Sequence, residues 1–386
     1  ELALRPEITA PVARLYINEL QKTAKPIKLY YFGSCFRYER PQNGRFRQFW
    51  QFGCELIGAK SPEAEAEIIA MAENSLKRLK INKELAEIHI NHLGIIRGLF
   101  DYFNISEEIQ EEIMVLIDKG DKELLENELF GKTRDSPLIE DQKLSEILLK
   151  LIDLVGKEEI IEKVETIIKD ILIKDHEETK SSLNEFKQLI KLLKSFEVEN
   201  YKINLGIARG LDYYTGIVFE IYVPALESQK QIAGGGTYDL VQLFGGEPVE
   251  STGFAFGFDR LMNAIEWIKQ SKQLDHMVRN NTTNTAQNNI NSIVDVYVAP
   301  INDETRAESF EIVQLLRKNN ISSEVDLSRK KFKKLLNTAN KLNVKYVILV
   351  GKDELDKDSV TIKNMANGKQ DLVAINEIID YLENIN

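Results

Sequence analysis

Between Leu29 and Ile57 β-forming and aromatic residues run on either side of Pro41-Gln42-Asn43-Gly44. An Asn-Gly pair flanked by β-formers specifies a tight reversal, so the segment predicts a long antiparallel hairpin. Alternation with period two then assigns faces. In the returning arm Arg45, Arg47, Phe49, Gln51, Gly53 and Glu55 share one face, while Phe46, Trp50, Phe52, Cys54 and Leu56 lie mostly on the other. The outgoing arm aligns Gly33, Cys35, Arg37 and Glu39. The apolar set is expected to be core and the other set a chemically loaded surface. A polar strand face is often only solvated. Two adjacent strands that bring arginines, carboxylates and glycine to one face suit the binding of a triphosphate and a zwitterion together. Arginine matches phosphate and carboxylate oxygens with a planar donor fork, Glu55 and Gln51 can accept from an ammonium or an imidazole N–H, and glycine leaves room against the backbone.

The chain has 386 residues, long enough for two or three domains. No apolar run approaches the roughly 20 residues that span a bilayer, so no membrane association is expected. Cys35 and Cys54 offer neither a disulfide framework nor a zinc-ligand spacing, which favours a reducing, cytoplasmic setting and leaves no metal ligands to assign. The net charge of −11 would argue against a nucleic-acid partner, but it is uneven: residues 1–60 carry 10 Lys and Arg against 5 Asp and Glu, and residues 61–200 carry 19 against 32. A phosphate-facing first segment is compatible with that distribution.

Further along, Ser61–Leu79 reads as a helix and Ala86–Asn91 as a short strand. From Ile105 to Phe196 Leu, Ile, Lys and Glu recur in helical periodicity, which predicts an all-helical insertion (105–196) between two parts of one core (1–104 and 197–277). Strand character returns at Tyr201–Leu205 and Tyr213–Val223, followed by a turn at Gly234–Gly236 and a helix over Phe258–Ile268. An Asn/Thr-rich stretch, 278–292, reads as a linker. Beyond it strands at Ile293–Val298, Ser322–Val325 and Val344–Val350 alternate with helices at Glu304–Lys318, Lys330–Leu342 and Ile375–Leu382, so 293–386 is expected to be a small α/β domain with a largely parallel sheet. The middle helix has apolar Phe332, Leu335, Leu336, Ala339 and Leu342 at core spacing, with Arg329, Lys330, Lys331, Lys333, Lys334 and Lys341 on its remaining faces.

Four segments in order carry a resemblance. Phe36 to Gly58, FRYERPQNGRFRQFWQFGCELIG, resembles motif 2 of class II aminoacyl-tRNA synthetases in its histidyl version, and Gly253 to Leu261, GFAFGFDRL, resembles motif 3. LRPEITA at Leu4 to Ala10 is similar to the family's substrate loop, and RGLDYYTG at Arg209 to Gly216, with VFE after it, to its histidine signature. The resemblance implies an α+β catalytic domain on an antiparallel sheet, a helical insertion and a C-terminal α/β anticodon-binding domain. It implies that Arg37 grips the α-phosphate of ATP, Glu39 holds the adenine with Arg45 nearby, Phe49 stacks on that ring and Arg260 meets the γ-phosphate. Glu7, Thr9 and Gln51 would surround the α-amino group of histidine. Glu55 and Tyr214, beside Tyr213, would bracket the imidazole, and Arg209 would contact both the α-phosphate and the substrate carboxylate. Strand register favours Tyr214 over Tyr213 as the substrate-facing ring.

The expected reaction is ATP-dependent ligation of histidine to tRNA(His), with Mg2+ on the phosphates. The pattern departs at Thr237, where the family carries arginine. Motif 1, which builds the family's dimer interface, is expected upstream of Glu1, so a homodimer is expected when that region is present. A second reading is a non-catalytic, synthetase-like regulatory subunit of histidine biosynthesis. Arg37, Arg209, Arg260 and the extra domain weigh against it.

Overall fold

The structure is a computed structural model that describes residues 3–38, 46–132, 136–169, 177–208, 213–270, 294–329 and 332–384. The chain divides into two compact units, Glu1–Ile190 with Glu199–Arg279 and Lys191–Val198 with Asn280–Asn386. The linker expected at 278–292, together with Glu39, Arg45 and Arg209, lies outside the described residues.

The first unit is built on an eight-stranded sheet. Its strands are β1 (Ile27–Phe36), β2 (Gln48–Ile57), β3 (Glu87–His92), β4 (Val155–Gly156), β5 (Tyr201–Asn204), β6 (Tyr214–Tyr222), β7 (Gln231–Tyr238) and β8 (Ser251–Gly257), in the order β1-β2-β8-β7-β6-β3-β5-β4. The expected hairpin is β1 and β2, paired from Ile27 opposite Ile57 to Phe36 opposite Gln48. All pairings are antiparallel except β3 with β5. Gly234–Gly236 lie within β7 rather than in a turn. A Cβ on Gly235 would come 2.1 Å from the Gly253 carbonyl oxygen, so those glycines serve close strand approach.

Helices α1 (Thr9–Leu15), α2 (Glu63–Arg78) and α3 (Leu93–Tyr102) belong to the core, and α4 (Glu107–Lys119), α5 (Lys122–Leu129), α6 (Gln142–Ile152), α7 (Glu159–Ile167) and α8 (Glu177–Ser195) to the insertion. The insertion's helix ends follow local chemistry. Gly120 closes α4 in the left-handed region at φ 66°, and Asp121 and Asp141 accept from backbone N–H groups at the starts of α5 and α6. The insertion is not purely helical, because β4 adds a two-residue strand beside β5. Its last helix packs on α3 through small residues. A Cβ on Gly94 would come 2.3 Å from Ser182 Oγ, and one on Gly98 would come 2.4 Å from Thr179 Oγ1.

The assignment of hairpin faces needs a correction. Leu56 is buried, but Phe46 is 47% and Trp50 41% exposed, and Phe32 stacks on Trp50 at 4.9 Å in the open. The core helix α2 covers this side only near the inner end of the hairpin, where Lys28 meets Glu67 at 3.2 Å. The loaded face is the better buried of the two, since Gly33, Cys35, Gly53 and Glu55 are all buried.

In the second unit β9 (Val296–Pro300), β10 (Ser323–Val325), β11 (Tyr346–Val350), β12 (Ser359–Asn364) and β13 (Gln370–Ala374) form a sheet in the order β10-β9-β11-β12-β13. The first three are parallel and the last two add an antiparallel hairpin. That hairpin escaped the sequence reading although Asn367-Gly368 marks it, with Gly368 at φ 73°. The longer helices of this unit are α10 (Arg306–Lys318), α11 (Phe332–Lys341) and α12 (Ile378–Asn384). Leu335 and Ala339 of α11 enter a core with Tyr297, Val347 and Leu349. Phe332 and Leu342, expected in that core, are 41% and 40% exposed because they sit at the two ends of the helix.

Candidate active site

At the inner end of the loaded face Glu55 is 2% exposed. Tyr31, on the neighbouring strand β1, donates its hydroxyl to Oε1 at 3.1 Å, and Tyr238, from β7, donates to Oε2 at 2.8 Å. Burial pushes the carboxyl up to about 8, against the opposing pull of hydrogen bonds from Tyr238, Thr9 and Tyr31. The two phenols are themselves raised by burial and by the carboxyl they face. Two glycines make this packing possible. Tyr31 crosses Gly53, where a Cβ would lie 2.4 Å from the ring, and a Cβ on Gly253 would lie 1.9 Å from Glu55 Oε2.

A small pocket opens on this carboxyl, lined also by Glu7, Thr9, Arg37, Gln51, Tyr213, Tyr214 and Tyr238. Glu7 is fixed by the start of α1, accepting from the N–H groups of Thr9 at 2.6 Å and Ala10 at 2.9 Å. Its acidity there complements the exposed helix N–H groups. Arg37 donates Nε to the Pro6 carbonyl at 2.9 Å and lies 5.0 Å over the Phe49 ring, two contacts that fix where its guanidinium lines the pocket. Gln51 accepts from the Cys35 thiol at 3.2 Å, which fixes its amide. At the end of β8, α9 (Phe258–Gln270) begins, and its Arg260 donates to the Gln231 carbonyl at 2.9 Å.

The structure thus gathers Glu7, Thr9, Arg37, Gln51, Glu55, Tyr213 and Tyr214 around one pocket. Phe49 lies beneath Arg37, and Arg260 sits on the adjoining helix end. Tyr31 and Tyr238 were missed. Their signal was available in the register: Tyr31 alternates with Gly33 and Cys35, and Tyr238 with Gly234 and Gly236.

An antiparallel sheet whose face unites this carboxyl pocket with arginines, joined in one chain to a separate α/β unit, is the construction of a class II aminoacyl-tRNA synthetase. Solved structures share it: the histidyl-tRNA synthetase from Nostoc sp. PCC 7120 superposes with a TM-score of 0.58 at 22% identity, covering 100% of this chain and 84% of that one. An ATP phosphoribosyltransferase regulatory subunit/histidyl-tRNA synthetase from Bacillus halodurans gives 0.57 at 25% identity, covering 90% and 79%. The family model for histidyl-tRNA synthetase matches residues 1–261 and that for the anticodon binding domain matches 295–385. The histidine–tRNA ligase of Methanococcus maripaludis strain S2 is 41% identical over 383 residues, covering 98% of this chain and 83% of that protein. That of Archaeoglobus fulgidus is 38% identical over 383 residues, covering 99% and 83%. The chain belongs to the histidyl-tRNA synthetase family.

Proposed function

We propose that the chain is a histidine–tRNA ligase that activates histidine with ATP and transfers it to the 3′ end of tRNA(His). The observation that carries the specificity is the buried carboxyl of Glu55, fixed by two tyrosines in the pocket that Tyr213 and Tyr214 also line. The Glu55 carboxyl can accept an imidazole N–H, and a phenol such as Tyr214 can satisfy the other ring nitrogen. A side chain without those groups would leave buried donors and acceptors unpaired, a type of site that discriminates by roughly 10⁴ or more.

In the first step an oxygen of the histidine carboxylate forms a bond to the α-phosphorus of ATP, and the bond to pyrophosphate breaks. In the second a terminal ribose hydroxyl of the tRNA attacks the carbonyl of the adenylate, and AMP leaves. Alignment and charge neutralisation carry the first step. Arg37 and Arg209 would serve the α-phosphate and Arg260 the γ-phosphate. Glu39, Arg45 and Phe49 would hold the adenine side, and Glu7, Thr9 and Gln51 the α-amino group. Among the described residues no three His, Cys, Asp or Glu side chains converge to hold a metal ion. Mg2+ would arrive with the triphosphate, which suits an ion that keeps much of its shell as water and phosphate oxygen. The anticodon-binding unit, with the basic helix α11, would hold the tRNA. A cytoplasmic homodimer is the working form this reading takes from the resemblance. Among the described residues no helix is long and apolar enough to cross a membrane.

Histidine-dependent exchange of pyrophosphate into ATP by the full chain, followed by charging of tRNA(His), tests the proposal. Histidine binding without exchange would sink it and favour the regulatory reading, which the name of the Bacillus halodurans structure also contains.

A further inference from the structure

We infer that Thr237 and Glu65, on the reverse side of the sheet, are positioning residues for substrate recognition: their hydrogen bond sets where β7 presents Tyr238 to the Glu55 carboxyl. The inference rests on the reading of that pocket as the histidine site.

Along β6 and β7 the ladder pairs Val218 with Gly236 and then Tyr214 with Tyr238. Three residues of β6, Thr215 to Ile217, therefore stand opposite Thr237 alone, and regular pairing fails at the point where Tyr238 must be placed. Gly236 adopts φ 151°, and a Cβ there would lie 2.3 Å from the Ile217 carbonyl oxygen, so the chain passes this bulge only as glycine. β8 still pairs with the other edge, Thr237 opposite Thr252 and Tyr238 opposite Ser251. On the β6 side the segment lacks a regular ladder and is tied by a side chain instead.

Alternation sends Tyr238 into the pocket and Thr237 to the back. There Thr237 Oγ1 donates to Glu65 Oε1 at 2.8 Å. Glu65 lies in the first turn of α2 and is buried, and its other oxygen has no partner among the described residues. Burying a carboxyl with one oxygen unpaired costs stability, as expected of a group retained for geometry rather than for packing. The tie is anchored further. The Ser61 hydroxyl, just ahead of α2, donates to Glu185 of the insertion helix α8, whose Oε2 lies 3.6 Å from His92 Nε2. The Thr237–Glu65 bond thus links the strand that carries Tyr238 to α2, and the Ser61–Glu185 bond links the approach to α2 to the insertion.

Thr237→Val keeps the shape of the side chain and removes the donor. In histidine-dependent pyrophosphate exchange it is expected to raise KM for histidine about tenfold, the effect of losing one hydrogen bond to a buried acceptor, while KM for ATP stays within about twofold. Thr237→Ser restores the hydroxyl and is expected to restore KM. Glu65→Met removes the acceptor from the other end, should give the same histidine-selective rise, and serves as the second route if Thr237→Val does not fold. The double variant is expected to be no worse than either single one. A Thr237→Val enzyme with wild-type KM for histidine, or with equal rises in both KM values, overturns the positioning role. A wild-type chain that shows no exchange overturns the histidine reading instead.

Discussion

Glu55 carries one tyrosine hydroxyl on each oxygen, and that arrangement fixes its plane before any substrate arrives. Pre-orienting an acceptor in a water-poor site removes the cost of ordering it at the moment of binding. Tyr238→Phe frees Oε2 of its partner while leaving the ring in place. It is expected to raise KM for histidine about tenfold or more, the consequence of a buried carboxyl oxygen left unpaired, with little change in KM for ATP; a matched rise in KM for ATP would show that the phenol acts on the whole sheet. Much at this scale was legible in the sequence. Glu55, Gln51 and Arg37 stood on one strand face by alternation alone, and a resemblance to known motifs supplied their roles. Tyr31 and Tyr238 were not singled out, because an aromatic residue on a strand is ordinary until its partner across the sheet is known.

At the scale of elements, the insertion meets the core along a seam of small residues. Gly94 and Gly98 of α3 lie against Ser182 and Thr179 of α8, with less than 2.5 Å available to any added Cβ. Gly98→Val would have to force the two helices apart, and is expected to destabilise the protein by roughly 1–3 kcal/mol, as overpacked cores do. A thermal melt reads this directly, and an unchanged midpoint would mean that α8 moves aside without cost. Composition revealed that the block from Ile105 to Phe196 is helical. It could not reveal β4, since two residues carry no period. The edge hairpin of the second unit had its Asn-Gly signal in plain view. The exposed outer aromatics of the first hairpin show the converse failure, because alternation identifies faces but not which neighbour covers them.

Across the whole molecule two buried carboxyls tie stability to pH. Burial raises Glu55 from 4.5 to about 8 and Glu65 from 4.5 to about 7. The folded protein holds these protons more tightly than the unfolded chain, so their contribution is complete below the unfolded pKa and is lost as pH climbs through the folded values. Denaturation midpoints of the unliganded protein are therefore expected to fall between about pH 5 and 8, and the double variant Glu55→Gln, Glu65→Gln to flatten that fall; a slope unaltered by the double substitution would place its origin elsewhere. The sequence by itself determined the local matters: the β1–β2 hairpin and its alternation, the helical nature of the insertion, the alternation of the second unit and the side chains available to the pocket. These depend on period, turn chemistry and composition, which act over a few residues. Only the tertiary structure decided that Tyr31 and Tyr238 close on Glu55, that the aromatic face of the hairpin lies open, and that Thr237 is tied to Glu65. Each of those joins residues from separate elements, 172 positions apart for Thr237 and Glu65, and no local pattern encodes which distant strand or helix will arrive opposite.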